Sequence, residues 1–246
     1  MEVKMNKVFI FDVDGTLTPS RLPMTEEFQK FFQKWVTKNK FYLVTGSDLP
    51  KLQEQMCLYD IEAEGIFTCC GNQYWKPDPS IVNVSAELIY ENKFELPPHL
   101  DLFLNIVLKQ SPYPHRYGNH IEDRGSMVNF SIVGRDCTQE QREEFFEWDN
   151  ENNERERIAN IIKSKATGID AVIGGQISID IYPEGCDKSQ ILKHIEADEY
   201  VFIGDRTEEG GNDYPLAKLM EGKDNCSFYQ TEGWEETQKI LEKLSD

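Results

Sequence analysis

The segment Val8-Phe9-Ile10-Phe11-Asp12-Val13-Asp14-Gly15-Thr16 decides the fold. Its four consecutive apolar residues, from Val8 to Phe11, are typical of a strand that is buried on both faces of a parallel sheet. Two aspartates and a Gly-Thr pair follow directly. In open α/β sheets, ligands bind at the carboxyl ends of the strands. The segment therefore predicts a ligand site where the first strand ends.

Asp12 and Asp14 are two residues apart, and in near-extended backbone they face the same side. Two close carboxylates repel each other unless a proton or a cation lies between them, and Mg²⁺ prefers all-oxygen ligands of this kind. An Asp-Gly turn is the simplest alternative, and Asp-x-Asp-Gly also begins calcium loops. A calcium loop ends with Glu at its twelfth position, which is Pro23 here, so the calcium loop is excluded.

The chain around this segment alternates strand and helix patterns. Thr25 can cap a helix with apolar residues on one face, and a second strand is predicted over residues 41–44. Pro50 suits the first turn of the next helix. Near the end of the chain, a helix is predicted over residues 188–197 and a strand over 200–203. This order predicts a doubly wound, Rossmann-like α/β domain.

The middle of the chain reads differently. A helix is predicted over residues 100–108, another from Thr138 towards Lys163, and a strand over 171–182 with an interruption at Gly174-Gly175. These patterns predict an inserted α+β domain. We expect a core of residues 1–81 and 186–246 and an inserted cap of residues 82–185.

The composition limits the partners of the chain. Its 246 residues carry 44 acidic and 26 basic side chains, a formal net charge of −18. Because such a surface repels phosphate backbones, no nucleic-acid partner is expected. No run approaches the roughly 18 apolar residues of a membrane span, and no apolar signal segment opens the chain, so no membrane partner is expected. The six cysteines form no C-x-x-C pair, and we expect reduced thiols in a cytoplasmic protein.

Asp12-Val13-Asp14-Gly15-Thr16 resembles the signature of the haloacid dehalogenase superfamily of phosphotransferases. The resemblance implies that Asp12 is a nucleophile that forms an aspartyl-phosphate and that Asp14 is the general acid and base. Companion segments follow in the order of the superfamily: Thr45-Gly46-Ser47, Lys188, Gly204-Asp205 and Gly210-Gly211-Asn212-Asp213. They imply phosphate binding by Thr45, Ser47 and Lys188. They also imply a Mg²⁺ site made by Asp12, Asp205 and, through its backbone carbonyl, Asp14, with Asp213 as a supporting acid.

Further stretches are similar to the eukaryotic-type phosphomannomutases, a family within this superfamily: residues 12–21, 124–129, 133–137 and 174–188. The resemblance implies a Mg²⁺-dependent isomerase that interconverts mannose 6-phosphate and mannose 1-phosphate, with a hexose 1,6-bisphosphate as activator. It also implies a cap that closes over the core and a homodimer formed through the caps.

The implied contacts to the phosphosugar substrate are Arg21, Arg124, Arg135, Ser178 and Asp180. Their chemistry agrees with that implication. Ser178 and Asp180 share one face of a strand, so that a hydroxyl and a carboxylate can hold sugar hydroxyls together. Arginine can bind a phosphate bidentately, which lysine cannot.

Several residues depart from the family pattern. Thr45 stands where the family usually has Gly, and Cys69-Cys70-Gly71-Asn72 replaces its Glu-Asn-Gly stretch. The segment after Asp213 lacks a Thr-Asp-Pro-Arg-Thr-like loop that contributes another metal site. Tyr117 takes the place of a family arginine, with Arg116 one position away.

Two alternatives to the mutase stay open. One is a Mg²⁺-dependent sugar-phosphate phosphatase with the same nucleophile, in which water intercepts the aspartyl-phosphate; Thr45 favours it. The other is a non-catalytic sugar-phosphate binding protein. The presence of both Asp12 and Asp14 counts against that second alternative.

Overall fold

The structure is a computed structural model that describes residues 5–56, 63–77 and 86–244. The chain divides into two compact units. The first contains Met1–Glu91, Asp187–Glu209 and Asp213–Asp246, and the second contains Asn92–Cys186 and Gly210–Asn212. The expected division between residues 81 and 82 falls outside the described residues, and the first unit extends beyond it to Glu91.

The strands, in chain order, are β1 (Lys7–Phe11), β2 (Lys40–Val44), β3 (Gly65–Thr68), β4 (Gln73–Pro77), β5 (Ala86–Glu91), β6 (Ile121–Asp123), β7 (Val128–Phe130), β8 (Ile169–Gly174), β9 (Ser178–Pro183), β10 (Glu199–Gly204) and β11 (Cys226–Gln230). The helices are α1 (Glu26–Val36), α2 (Leu49–Met56), α3 (Pro98–Gln110), α4 (Gln139–Asn152), α5 (Glu154–Lys165), α6 (Tyr214–Met220) and α7 (Trp234–Leu244). Within the described residues, short 3₁₀ segments cover Cys69–Gly71 and Lys188–Lys193.

The sheet of the first unit has the order β11-β10-β1-β2-β3-β4-β5. The strands from β11 to β3 are parallel, and β4 and β5 extend the sheet in antiparallel pairing. The predicted doubly wound α/β core is confirmed. The strand β5 was expected in the cap but belongs to this sheet, because it pairs along its length with β4.

Both faces of β1 are buried, which explains its continuous apolar run. Phe9 and Phe11 pack on one face with residues of α1 and α7, whereas Val8 and Ile10 pack on the other with Ile191 and with α6. The helix α1 begins as predicted, since Oγ1 of Thr25 accepts from the backbone N–H of Phe28 at 3.3 Å.

The second unit contains an antiparallel sheet of order β6-β7-β9-β8, with α3, α4 and α5. The single helix predicted from Thr138 towards Lys163 is two helices, because Asn153 adopts a left-handed conformation, with φ of 53°. The strand predicted over residues 171–182 is the hairpin of β8 and β9. Its turn lies after Gly174, as the Gly174-Gly175 interruption indicated.

The helix predicted over residues 188–197 is a 3₁₀ segment that ends at Lys193. Its hydrogen bonds join residues three apart, such as the N–H of Gln190 to the carbonyl of Asp187 at 3.2 Å.

Among the described residues, Cys69, Cys70, Cys137, Cys186 and Cys226 form no disulfide bond, and Cys57 lies outside the described ranges. None of the helices described combines the length and the apolar character that a bilayer crossing requires.

Candidate active site

Asp12 directly follows β1, at the carboxyl end of the parallel strands. Its backbone N–H donates to the carbonyl of Ile203 in β10 at 3.0 Å, so the neighbouring strand fixes the start of the loop. The Asp12 side chain is buried, and its Oδ1 accepts from Nζ of Lys188 at 2.6 Å. The predicted nucleophile therefore contacts the predicted phosphate-binding lysine.

Lys188 is completely buried. Its Nζ donates to Oδ1 of Asp213 at 2.7 Å as well as to Asp12. Burial by itself lowers the pKa of an ammonium, but the carboxylates of Asp12 and Asp213 together hold the pKa of Lys188 well above its usual value. Lys188 therefore stays charged and neutralises part of the carboxylate charge around it.

Asp205 follows β10 and forms a group of three carboxylates with Asp12 and Asp213. One oxygen of each lies within 4.8 Å of the others. Burial raises the pKa of Asp12 well above its usual value, although Lys188 opposes this shift. Burial, followed by the charge of Asp213, raises the pKa of Asp205 to about 7. The ammonium group of Lys188 thus does not offset the effect of burial on the pKa values of Asp12 and Asp205.

The three carboxylates suit a divalent cation. Hard cations such as Mg²⁺ prefer carboxylate oxygens, and raised pKa values mark carboxyl groups with too little positive charge nearby. Gly15 also allows the close approach of Asp205. A Cβ atom on Gly15 would lie 2.5 Å from Oδ2 of Asp205, and its φ of +81° favours glycine.

Asp14 has a different environment. Its Oδ1 accepts from the backbone N–H of Arg21 at 2.6 Å and from Nε2 of Gln55 at 2.9 Å. Its Oδ2 lies 3.3 Å from Oγ of Ser47. The backbone carbonyl of Asp14, and not its side chain, is the predicted metal ligand, and the third carboxylate of the group is that of Asp213.

The loop after β2 holds Thr45 and Ser47, which are both buried. Oγ1 of Thr45 accepts from the backbone N–H of Ser47 at 3.0 Å, which fixes the turn. The N–H groups of Cys69 and Cys70 donate to the carbonyls of Ser47 and Thr45. Both cysteines adopt a left-handed backbone, with φ of 52° and 57°. The residues that depart from the family pattern therefore support this loop.

Arg21 also has a left-handed backbone, with φ of 65°. The contact given above joins its main-chain N–H, and not its guanidinium, to Asp14. A backbone N–H group of the loop after β1 thus binds the carboxylate of Asp14 in the same loop.

In the second unit, Asp180 is buried on β9 between two amides. Its Oδ1 accepts from Nδ2 of Asn129 at 2.7 Å, and its Oδ2 accepts from Nδ2 of Asn212 at 3.4 Å. Ser178, on the same face of β9, accepts from Nη1 of Arg135 at 2.8 Å. The predicted pair of a hydroxyl and a carboxylate is therefore connected to a predicted arginine.

Glu122 brings Arg124 and Arg135 together. Its Oε2 accepts from Nε of Arg124 at 3.0 Å and also from Nη2 of Arg124, and it lies 3.5 Å from Nη2 of Arg135. Both guanidinium groups are largely buried. The structure thus places two cations around one carboxylate, which is an arrangement that can bind an anion of similar shape.

Arg116 has a structural role. Its guanidinium donates to the backbone carbonyls of Leu108, Ser111, Tyr113 and His115. These hydrogen bonds stabilise the turn after α3, so the guanidinium of Arg116 binds backbone carbonyls of its own unit.

Sequence reasoning missed several residues whose side chains contact the predicted ones, among them Gln55, Glu122, Asn129 and Asn212. Asn129 and Asn212 lie within stretches that the sequence analysis quoted, so the signal was present there. Gln55 and Glu122 are ordinary polar residues in a helix and a strand, and only the folded geometry shows their partners.

Comparisons with known sequences identify relatives along most of the chain. A sequence model described as eukaryotic phosphomannomutase matches residues 28–245. Phosphomannomutase 1 of Dictyostelium discoideum is 35% identical over 228 residues, which cover 88% of this chain and 89% of that protein. The phosphomannomutase of Drosophila melanogaster is 37% identical, and the match covers 85% of each chain.

Comparisons with solved structures support the fold. The chain resembles an N-terminally truncated Plasmodium falciparum IMP-nucleotidase with a TM-score of 0.58 and 17% identity, over 98% of this chain and 68% of that one. It also resembles the Thermoplasma acidophilum protein 0175, with a TM-score of 0.54, 18% identity and coverage of 98% and 99%.

The structural neighbours confirm the predicted haloacid dehalogenase fold. The sequence relatives are more specific, because they are 35% and 37% identical to this chain, whereas the solved structures are 17% and 18% identical. The chain therefore belongs to the eukaryotic phosphomannomutase family.

Proposed function

We propose that this chain is a phosphomannomutase, an isomerase that interconverts mannose 6-phosphate and mannose 1-phosphate through an aspartyl-phosphate and a hexose 1,6-bisphosphate. One observation carries the proposal. In a chain of this family, the buried carboxylate of Asp12 contacts Lys188 at 2.6 Å, and a second carboxylate, Asp14, is held two residues away by three donors.

Asp12 is the nucleophile of the proposed cycle. A carboxylate oxygen of Asp12 attacks a phosphorus atom of the hexose bisphosphate, an acyl phosphate bond forms, and the bond from phosphorus to the sugar oxygen breaks. Asp14 donates a proton to that leaving oxygen. In the return step, a sugar hydroxyl attacks the phosphorus, Asp14 takes its proton, and Asp12 is released as a carboxylate.

Lys188 neutralises charge on Asp12 and on the transferring phosphoryl group. Its pKa is held high by Asp12 and Asp213, against the effect of burial, so it is an ammonium when phosphoryl transfer begins. The hydroxyls of Thr45 and Ser47 are proposed to donate to phosphoryl oxygens. In the structure, the oxygen of Thr45 accepts from Ser47 N–H, which leaves its hydroxyl hydrogen for donation.

Mg²⁺ is the proposed cofactor. Asp12, Asp205 and the backbone carbonyl of Asp14 would hold it, and when bound it neutralises and polarises phosphoryl oxygens. The role of Asp213 is to orient the other groups, because its Oδ1 binds Lys188 and its Oδ2 accepts from the N–H of Arg206 at 3.1 Å.

The second unit supplies the proposed substrate contacts. Arg124 and Arg135 bind the phosphate that is not transferred. Arg21, which belongs to the first unit, is a further proposed contact. Ser178 and Asp180 hold sugar hydroxyls. A mutase needs this second phosphate site, because its intermediate carries two phosphates and must react through either one.

We also propose that the enzyme is a homodimer formed through its cap and acts in the cytoplasm. Two exposed apolar side chains of α3, Leu102 and Ile106, support an interface on the second unit. The cysteines of the described ranges form no disulfide bond, which supports a reducing compartment.

The test supplies mannose 1-phosphate, Mg²⁺ and a trace of glucose 1,6-bisphosphate, and measures mannose 6-phosphate and inorganic phosphate. A mutase forms mannose 6-phosphate without an equivalent release of phosphate. Phosphate as the main product would replace this proposal with the sugar-phosphate phosphatase. No turnover of either kind would leave only a sugar-phosphate binding protein.

A further inference from the structure

Gln55 is a completely buried amide on α2 that contacts the loop after β1. Its Nε2 donates to Oδ1 of Asp14 at 2.9 Å and lies 3.4 Å from Oγ1 of Thr18. Its backbone carbonyl accepts from the N–H of Met24 at 2.8 Å, which fixes that end of α2 against the same loop. Gln55 is therefore held by its backbone while its side chain reaches Asp14.

The chemistry of the partners determines which end of the amide faces Asp14. A carboxylate accepts hydrogen bonds, and Oγ1 of Thr18 gives its own hydrogen to the carbonyl of Val13 at 3.2 Å. Both neighbours of the amide therefore act as acceptors towards it. Only the nitrogen of Gln55 satisfies them, so Nε2 is the atom that faces Asp14.

The two oxygens of Asp14 consequently differ. Oδ1 accepts from the amide of Gln55 and from the backbone N–H of Arg21, and both of these groups can only donate. Oδ2 lies 3.3 Å from the hydroxyl of Ser47, which can both donate and accept. Oδ2 is thus the oxygen that can exchange a proton with a sugar oxygen.

A contribution to the stability of the fold does not explain why position 55 carries an amide. Its Oε1 is buried without a hydrogen-bond partner among the described residues, and an unsatisfied buried acceptor destabilises a protein. Leu52 and Met56 on the same helix are buried apolar residues, and an apolar side chain at position 55 would avoid the cost. A buried polar group kept at a cost to stability is typical of a functional site.

We propose that Gln55 is a positioning residue for phosphoryl transfer: it fixes the Asp14 carboxyl group so that Oδ2 faces the oxygen of the transferred phosphate ester. The inference rests on the proposed role of Asp14 as acid and base. It predicts that Gln55 matters when the leaving oxygen needs a proton and does not matter when the leaving group departs without one.

The experiment compares wild type with Gln55→Met in single-turnover phosphorylation of Asp12 with Mg²⁺ present. The two phosphoryl donors are glucose 1,6-bisphosphate, whose sugar oxygen needs a proton, and p-nitrophenyl phosphate, whose leaving group does not. With the bisphosphate, we expect the rate of Gln55→Met to fall by about 10- to 100-fold, within the range that proton transfer contributes. With p-nitrophenyl phosphate, we expect rates within about twofold of each other.

Two further measurements complete the test. Gln55→Met should have a melting temperature equal to or above that of wild type, whereas a merely structural role predicts a lower one. Gln53→Met is the matched control, because position 53 lies about 200° around the helix from position 55; it should leave both rates unchanged.

Equal losses with both donors, or no loss with either, would overturn the role of Gln55. A wild type that takes no phosphoryl group from the bisphosphate would overturn the proposed function itself.

Discussion

Nζ of Lys188 lies 2.6 Å from Oδ1 of Asp12, although 176 residues separate the two in the chain. Both side chains are buried, and the whole second unit except Gly210–Asn212 is inserted between them. The ion pair joins two of the three segments from which the first unit is built. It is also where the proposed nucleophile meets its charge partner, so that stability and activity both depend on it.

Lys188→Met should abolish phosphoryl transfer and destabilise the fold. We expect a loss of at least about 100-fold in rate, since a preorganised charge is removed, and about 3–5 kcal/mol in unfolding free energy at neutral pH, since Asp12 and Asp213 lose their buried partner. Urea unfolding and the mutase assay measure the two losses.

The pH dependence of Lys188→Met provides a further check. Without the ammonium, burial still raises the pKa of Asp12, so the folded state holds a proton that the unfolded chain releases. The variant should therefore lose stability as the pH rises above 3.8, the ordinary pKa of the Asp12 carboxyl group. Stability equal to that of wild type at pH 8 would contradict a structural role for the pair.

Mg²⁺ binding should depend on pH through Asp205. Burial and the nearby Asp213 raise its pKa to about 7, from 3.8, so below pH 7 a bound metal must displace a proton. The apparent affinity should fall by about tenfold per pH unit below 7, with proton release detectable by calorimetry in buffers of different ionisation enthalpy. Without metal, this proton stabilises the folded state, so its contribution falls as the pH rises from 3.8 to about 7.

Asp205→Asn is the control for this prediction. It removes the titrating carboxyl group, so its weaker Mg²⁺ binding should show a much smaller pH dependence between pH 6 and pH 8. A wild-type affinity that is constant over that range would show that Asp205 does not carry the displaced proton.

Gly174→Ala should displace Asp180. A Cβ atom on Gly174 would lie 2.3 Å from Oδ2 of Asp180, so the carboxylate or the hairpin must move. We expect a cost of about 1–3 kcal/mol in stability and a rise in KM for the phosphosugar of about tenfold, from the loss of roughly one charged hydrogen bond. Chemical denaturation and steady-state kinetics measure these effects.

Gly168→Ala is the control that shows the effect of backbone strain in the second unit without a contact to Asp180. Gly168 has φ of +78° and no atom within 4 Å of an added Cβ, so alanine there should lower stability and leave KM unchanged. An equal rise in KM for both variants would show that general loosening of the second unit, and not Asp180, explains the effect.

Arg135→Lys should weaken substrate binding more than it slows the chemistry. Lysine cannot offer the two parallel donors of a guanidinium, and the contact of Nη1 with Ser178 at 2.8 Å is lost. KM should rise by about tenfold, with a smaller change in kcat. Arg157→Lys, at a half-exposed pair on α5, is the matched control and should have no effect. An unchanged KM for Arg135→Lys would exclude Arg135 from the phosphate site.

The core of the fold was predictable because its strands are apolar on both faces. The run from Val8 to Phe11 packs on both sides of the sheet, and the adjacent carboxylates mark its carboxyl end. The edge strand β5 was not predicted in this sheet, because most of its side chains are only partly buried or exposed. An edge strand lacks the pattern that burial on two faces imposes.

The site was predictable where chemistry limits the residue type. Asp12 and Lys188, which the sequence marked separately, contact each other, and Arg135 contacts Ser178. The roles of Arg116 and Gln55 depend on which atoms the folded chain brings within hydrogen-bond distance. The spacing of residues in the sequence does not indicate these contacts. It does not show that Arg116 binds backbone carbonyls or that Gln55, among several glutamines, reaches Asp14.

The fate of the phosphoryl group on Asp12 is the most direct test of the proposed mutase. The enzyme is labelled from radioactive glucose 1,6-bisphosphate with Mg²⁺, freed of excess donor, and mixed with mannose 6-phosphate; Asp12→Asn should take up no label. The proposal predicts that the label passes to the sugar and appears in a hexose bisphosphate faster than in inorganic phosphate. Release of the label mainly as inorganic phosphate, at a rate that mannose 6-phosphate does not change, would contradict it.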